Sequence, residues 1–91
     1  MFRITTDEGP QSITLRLEGR LYGPWAPVLG EVWSGAMGRS QGRRLRVDLN
    51  GVTFVDAQGR ARLAEMYAQG AELLGGALET KALVAEIIGQ R

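Results

Sequence analysis

The sequence predicts a single α/β domain over residues 1–91, a small mixed β-sheet packed with helices in the order β-β-α-β-α-β-α. Three observations carry that expectation. Ile13, Leu15 and Leu17 alternate with Thr14, Arg16 and Glu18, the period of two of a strand with one buried face. Trp25, Leu29, Val32, Trp33 and Ala36 recur at helical spacing, as do Leu63, Met66, Tyr67, Gly70 and Leu74. Clusters of Gly, Pro, Asn and Asp separate the runs.

Taken in order, residues 2–6 and 12–18 read as strands, joined across Asp7-Glu8-Gly9-Pro10 into an antiparallel hairpin. Pro24 and Pro27 fit the first turn of a helix, where N–H groups have no intrahelical partner. That helix is expected to end near Met37-Gly38, and a polar loop follows over Arg39 to Arg44. Leu45 to Leu49 is a strand, Asn50-Gly51 follows, and Val52 to Val55 is again rich in strand formers. Read alone, Asn-Gly between two such runs signals a tight hairpin. Asp56 is a good N-cap for a second helix over roughly 57–75, stopped by Gly75-Gly76. Ala77-Leu78-Glu79 reads as a short strand or extended piece, and Thr80 as the N-cap of a last helix ended by Gly89.

Composition removes several classes of function. The chain holds no His and no Cys. Without Cys there is no disulfide framework and no thiolate nucleophile, and without His no Ser-His-Asp triad and no ordinary zinc site. A net charge of +1, from 11 basic and 10 acidic residues, argues against holding nucleic acid by bulk charge. No apolar run is long enough for a membrane span, and the N-terminus has no signal-peptide pattern, so a cytoplasmic location is the default expectation. No glycine-rich phosphate loop is present, and no cofactor is expected.

The stretch from Asp48 to Gly59 resembles the signature of the STAS domain, the family of anti-sigma factor antagonists and of the cytoplasmic domains of sulphate transporters. Asp48, Leu49, Gly51, Val52, Phe54, Asp56 and Gly59 match its pattern, a strand ending Asp-Leu-Ser, then Gly-Val, an aromatic-aliphatic pair and Asp-Ser-Ser-Gly opening a helix. Gly19-Arg20-Leu21 sits where the family has a Gly-x-Leu turn, and the element order agrees over nearly the whole chain. The resemblance implies that Asn50-Gly51 is a loop joining a sheet strand to the motif segment. It implies protein–protein interaction in bacterial regulation, with an anti-sigma factor, a kinase-like protein or another regulatory protein as partner, and no catalysis.

In the signalling members the first Ser of Asp-Ser-Ser-Gly is phosphorylated. Here that position is Ala57, followed by Gln58, so the usual switch cannot operate there. Where the family often carries an Asp after its Gly-x-Leu turn, this chain has Tyr22. The expected partner-binding surface is therefore Tyr22, Asp56, Ala57, Gln58, Gly59, Arg60 and Arg62, acting as a constitutive binder or scaffold. Arg60 and Arg62 either meet an acidic patch or phosphate, or are solvated with Asp56 offsetting their charge. The alternative reading is a small-ligand module that binds a nucleotide or other anion at the N-terminus of the second helix. Asp48 and Asp56 as a catalytic pair, the arginines at 39, 43, 44 and 46 as a phosphate contact, and Trp25 with Trp33 as a ligand platform each have a plainer reading. Those are loop ordering and capping, a solvated loop, and core packing; Met37 and Met66 read as core filler.

Overall fold

The computed structural model describes residues 1–75 and 78–89, of 78–80 the backbone only. The elements are β1 (Phe2–Glu8), β2 (Ser12–Leu21), α1 (Trp25–Arg39), β3 (Arg44–Val55), α2 (Ala57–Ala68), β4 (Glu72–Leu74) and α3 (Leu78–Gly89). They build a four-stranded sheet in the order β1-β2-β3-β4. β1 runs antiparallel to β2, closed by the Gly9 N–H donating to the Ser12 carbonyl at 2.8 Å. β2, β3 and β4 are mutually parallel. The two crossovers, through α1 and α2, step the same way across the sheet, and the fixed hand of such connections puts both helices on one face. α3 packs on that face as well, against β3, β4 and α2.

The core lies between that face and the helices. Ile13, Leu15, Leu17 and Leu21 of β2 and Val47, Leu49 and Val52 of β3 meet Leu29 and Trp33 of α1, Leu63 and Met66 of α2, and Ile87 of α3. The opposite sheet face is exposed and charged. Arg3 pairs with Glu18 at 3.2 Å, Arg16 with Asp7 at 2.7 Å and Arg46 with Glu72 at 3.0 Å, all across adjacent strands. Arg3 and Glu18 are direct cross-strand partners, as are Arg46 and Glu72, so the period of two that fills the core also stacks these charges.

Several boundaries differ from the sequence-based expectation. Asn50-Gly51 is neither a hairpin nor a loop, because β3 runs unbroken for 12 residues through it. The sheet absorbs the pair as a bulge: Arg16 lies opposite Asp48, but Glu18 lies opposite Gly51. Asp48 orders the bulge, its Oδ1 accepting from the Asn50 N–H at 2.9 Å and from Asn50 Nδ2 at 2.8 Å. A Cβ on Gly51 would stand 2.9 Å from Glu18 Cγ and 3.1 Å from the Leu17 carbonyl oxygen, so the neighbouring strand admits only glycine without shifting.

The second helix stops at Ala68, not near residue 75. Gly70 turns left-handed at φ 107°, and the Ala71 N–H donates back to the Met66 carbonyl at 2.9 Å, which closes the last turn. Helical periodicity read through Gly70 because glycine in a helix interior costs only about 1 kcal/mol. The fourth strand consequently falls at Glu72–Leu74, with Leu73 in the core. Of the three residues expected to form it, Leu78 and Glu79 open α3 and Ala77 lies outside the described residues, as does Gly76. Thr80 falls inside α3, not before it.

Trp33 is buried and its Nε1 donates to Gln69 Oε1 at 2.7 Å, while Trp25 is half-buried against Phe2 with ring centroids 5.9 Å apart. Met66 is core, but Met37 is exposed near the end of α1. Three of the four loop arginines are tied down: Arg39 and Arg43 reach Glu8, Arg43 also donates to the carbonyls of Gly9, Arg39 and Ser40, and Arg46 holds Glu72.

Candidate functional site: the start of the second helix

Asp56 is the organising residue. It leaves β3 in extended conformation and caps α2, its Oδ1 accepting from the Gly59 N–H at 2.8 Å. Its Oδ2 accepts from the Gly23 N–H at 2.9 Å, and its own N–H donates to the Leu21 carbonyl at 3.1 Å. One side chain thus fixes the helix start to the turn that follows β2. The N–H of Gly59 first, and that of Gly23 second, hold the Asp56 carboxyl below the usual carboxylate range, because both bonds favour the charged form.

Gly59 is what lets α2 sit this close to the sheet. A Cβ there would stand 2.8 Å from both Leu21 Cγ and the Leu21 carbonyl oxygen. Gly59 is buried, so it shapes the surface from beneath; Ala57 and Gln58, the first two helical residues, are exposed. Tyr22 is 39% exposed on the turn held by Asp56, which brings it to the same end of the sheet as Ala57 and Gln58.

The two arginines are each engaged in an ion pair that stays open to solvent. Arg60 forms an ion pair with Glu86 of α3. Arg62 pairs with Glu65 at 2.8 Å and lies flat over α1, its Cζ 3.0 Å from where a Cβ of Gly30 would be. Arg60 thereby ties α2 to α3, while Arg62 pairs within α2 and packs on α1 at Gly30. An anion at the α2 N-terminus would find the Asp56 carboxylate already on the Gly59 N–H and each guanidinium in an ion pair, although the buried Nε of Arg62 makes no hydrogen bond among the described residues. Among the described residues no three Asp or Glu side chains gather as metal ligands would.

Sequence reasoning missed one feature of the site. Phe54 is 45% exposed, and the Arg20 guanidinium lies 5.1 Å from its ring centroid. A second bulge is the cause. Gly19 lies opposite Val52 but Arg20 opposite Phe54, so Thr53 is an extra residue that turns Phe54 out and Val55 in. The only sequence signal is a break in alternation, since Val52, Phe54 and Val55 cannot all face the core from one regular strand. Phe54, Arg20, Tyr22, Ala57 and Gln58 thus sit on segments that meet at the C-terminal ends of β2 and β3.

A family model described as "Mlab, STAS domain" matches residues 4–86. No curated protein matches the sequence. Among solved structures, the unphosphorylated form of the anti-sigma factor antagonist SpoIIAA aligns with a TM-score of 0.61 at 18% identity, over 91% of this chain and 80% of its own. An antisigma-factor antagonist STAS domain from Rhodobacter sphaeroides gives 0.59 at 16% identity, over 87% and 89%. Mglu gives 0.65 at 20% identity over 82% of this chain, which spans only 19% of the length of Mglu. These likenesses establish the same mixed four-stranded sheet with three helices.

Proposed function

The chain belongs to the STAS domain family, and we propose that it is a protein-interaction module of bacterial regulation whose docking surface is the start of α2. The carrying observation is the clamp at Asp56, which presents Ala57 and Gln58 beside Tyr22 in a fixed geometry. Phe54 with Arg20 extends that surface onto the exposed sheet face. The structural likeness to anti-sigma factor antagonists supports a partner of anti-sigma factor or kinase type.

The module is a constitutive binder or scaffold in this reading. Ala57 stands where the family carries its phospho-acceptor, and alanine offers no hydroxyl. A phosphate there would bring nearly two negative charges onto the docking surface, and this chain has no means of placing it. The test uses purified kinase-type anti-sigma factors from the same bacterium, each assayed against this chain. The wild type is expected to bind one of them equally with and without ATP and to gain no phosphate by mass spectrometry, whereas Ala57→Ser makes binding ATP-sensitive. Ala57→Arg, a bulky charge on the surface, is expected to weaken binding tenfold or more with the thermal melt unchanged. Phosphate on Ser12, Ser34, Ser40 or a threonine, with altered binding, would overturn the constitutive reading. Unaltered binding by Ala57→Arg would overturn the surface itself.

A further inference from the structure

β1 is an edge strand, and its outer edge has the pattern of a strand made to pair with its own copy. Among the described residues β1 pairs only with β2, in a register without irregularity, and it carries no Pro, no Lys and no bulge; its charges, Arg3, Asp7 and Glu8, are of both signs and can pair across a two-fold axis. The parity of its backbone groups is fixed. The Arg20 N–H donates to the Met1 carbonyl, and the Gly9 N–H to the Ser12 carbonyl. In an antiparallel pair these bonds fall on alternate residues, so Arg3, Thr5 and Asp7 bond inward to β2. The N–H and C=O groups of Phe2, Ile4, Thr6 and Glu8 therefore point out of the sheet edge.

We propose that two copies of this chain join antiparallel along β1, with the two-fold axis at Thr5, into one continuous eight-stranded sheet. In that register Phe2 exchanges backbone bonds with Glu8 of the second copy, and Ile4 with Thr6. Arg3 then faces Asp7 of the second copy in a non-hydrogen-bonded pair, the kind whose side chains approach most closely. Each neighbouring register that keeps the bonding parity sets Arg3 against a residue other than Asp7, so charge selects this one. On the exposed face the row would read Glu18, Arg3, then Asp7 and Arg16 of the second copy, alternating in sign. It extends the ion pairs that Arg3 and Asp7 already make within the chain. On the helical face, Phe2, Ile4, Trp25, Val28 and Val32 line an apolar hollow beside the edge, and Val28 is 39% exposed. The two-fold axis places the same hollow of the second copy next to it. This contact is independent of the docking surface at α2.

The test is sedimentation equilibrium with the wild type and with Thr5→Lys, Thr5→Glu and Thr5→Cys. Thr5 would face itself across the axis at about 4.5 Å between Cα atoms. The wild type is expected to reach twice the monomer mass. Thr5→Lys alone and Thr5→Glu alone are expected to stay monomeric with folded circular dichroism spectra, and their equimolar mixture to recover the doubled mass. The chain has no cysteine, so Thr5→Cys supplies a lone thiol within the roughly 4.4–6.8 Å Cα separation of a disulfide. Mild oxidation should cross-link it in high yield, while Glu31→Cys on the exposed side of α1 should not. A wild type that sediments as a monomer at high micromolar concentration, or a dimer indifferent to Thr5→Lys, would overturn the proposal.

Discussion

At the residue scale, the site rests on one carboxylate and one missing side chain. The Asp56 carboxyl is held below its usual range by the N–H groups of Gly59 and Gly23. A lowered pKa in the fold means that the contribution is complete above the unfolded-state value, about 3.9 for Asp, and is lost as pH falls through the folded value. Melting curves of wild type and Asp56→Asn should therefore be furthest apart near neutral pH and converge in acid; a gap constant with pH would refute the charge argument. Gly59→Ala forces a methyl against the Leu21 backbone and should cost about 1–3 kcal/mol in urea unfolding. Gly30→Ala meets only the flexible end of Arg62, and the gain in helix propensity, up to about 1 kcal/mol, should leave it neutral or stabilised. The importance of Asp56 and Gly59 was legible in the sequence as cap and motif. The contacts of Arg60 with Glu86 and of Arg62 with Gly30 were not, because those residues lie far from them in sequence.

At the element scale, the strands were read more surely than their interruptions. The alternation in β2 survives to Leu21 because its buried face is continuous. β3 carries two extra residues, near Asn50 and at Thr53, and each reverses which side chains face the core. Asn-Gly is as suitable for a bulge as for a turn, and only pairing with β2 chooses between them. Gly70 is a comparable case, a residue a helix tolerates and a helix end prefers. Gly70→Ala should destabilise by about 1–2 kcal/mol, since an L side chain must enter a left-handed backbone region. The same substitution at Gly38, on the α1 helix, meets nothing within 4 Å and should not destabilise. Equal losses at both positions would show that Gly70 is not the stop.

At the scale of the whole molecule, stability comes from one face of the sheet and identity from its surface. Leu17→Ala, at the centre of the core, should cost about 2–5 kcal/mol, whereas Arg16→Ala beside it should cost at most about 1 kcal/mol because its ion pair is exposed. Denaturant unfolding of the two variants separates them, and comparable losses would mean that the charged face is covered by something else. Charge illustrates the difference between sum and placement. The near balance of 11 basic and 10 acidic residues is spent on pairs across strands and between helices. The mixed α/β architecture, the element order, the cap at Asp56 and the absence of a hydroxyl at Ala57 are legible in the chain alone, since periodicity, capping and residue identity are local properties. Tertiary packing sets the outward turn of Phe54, the contacts of Arg60 with α3 and of Arg62 with α1, and the end of the second helix at Ala68. Each of those depends on which distant backbone or side chain arrives opposite, and strand register and helix packing alone set that.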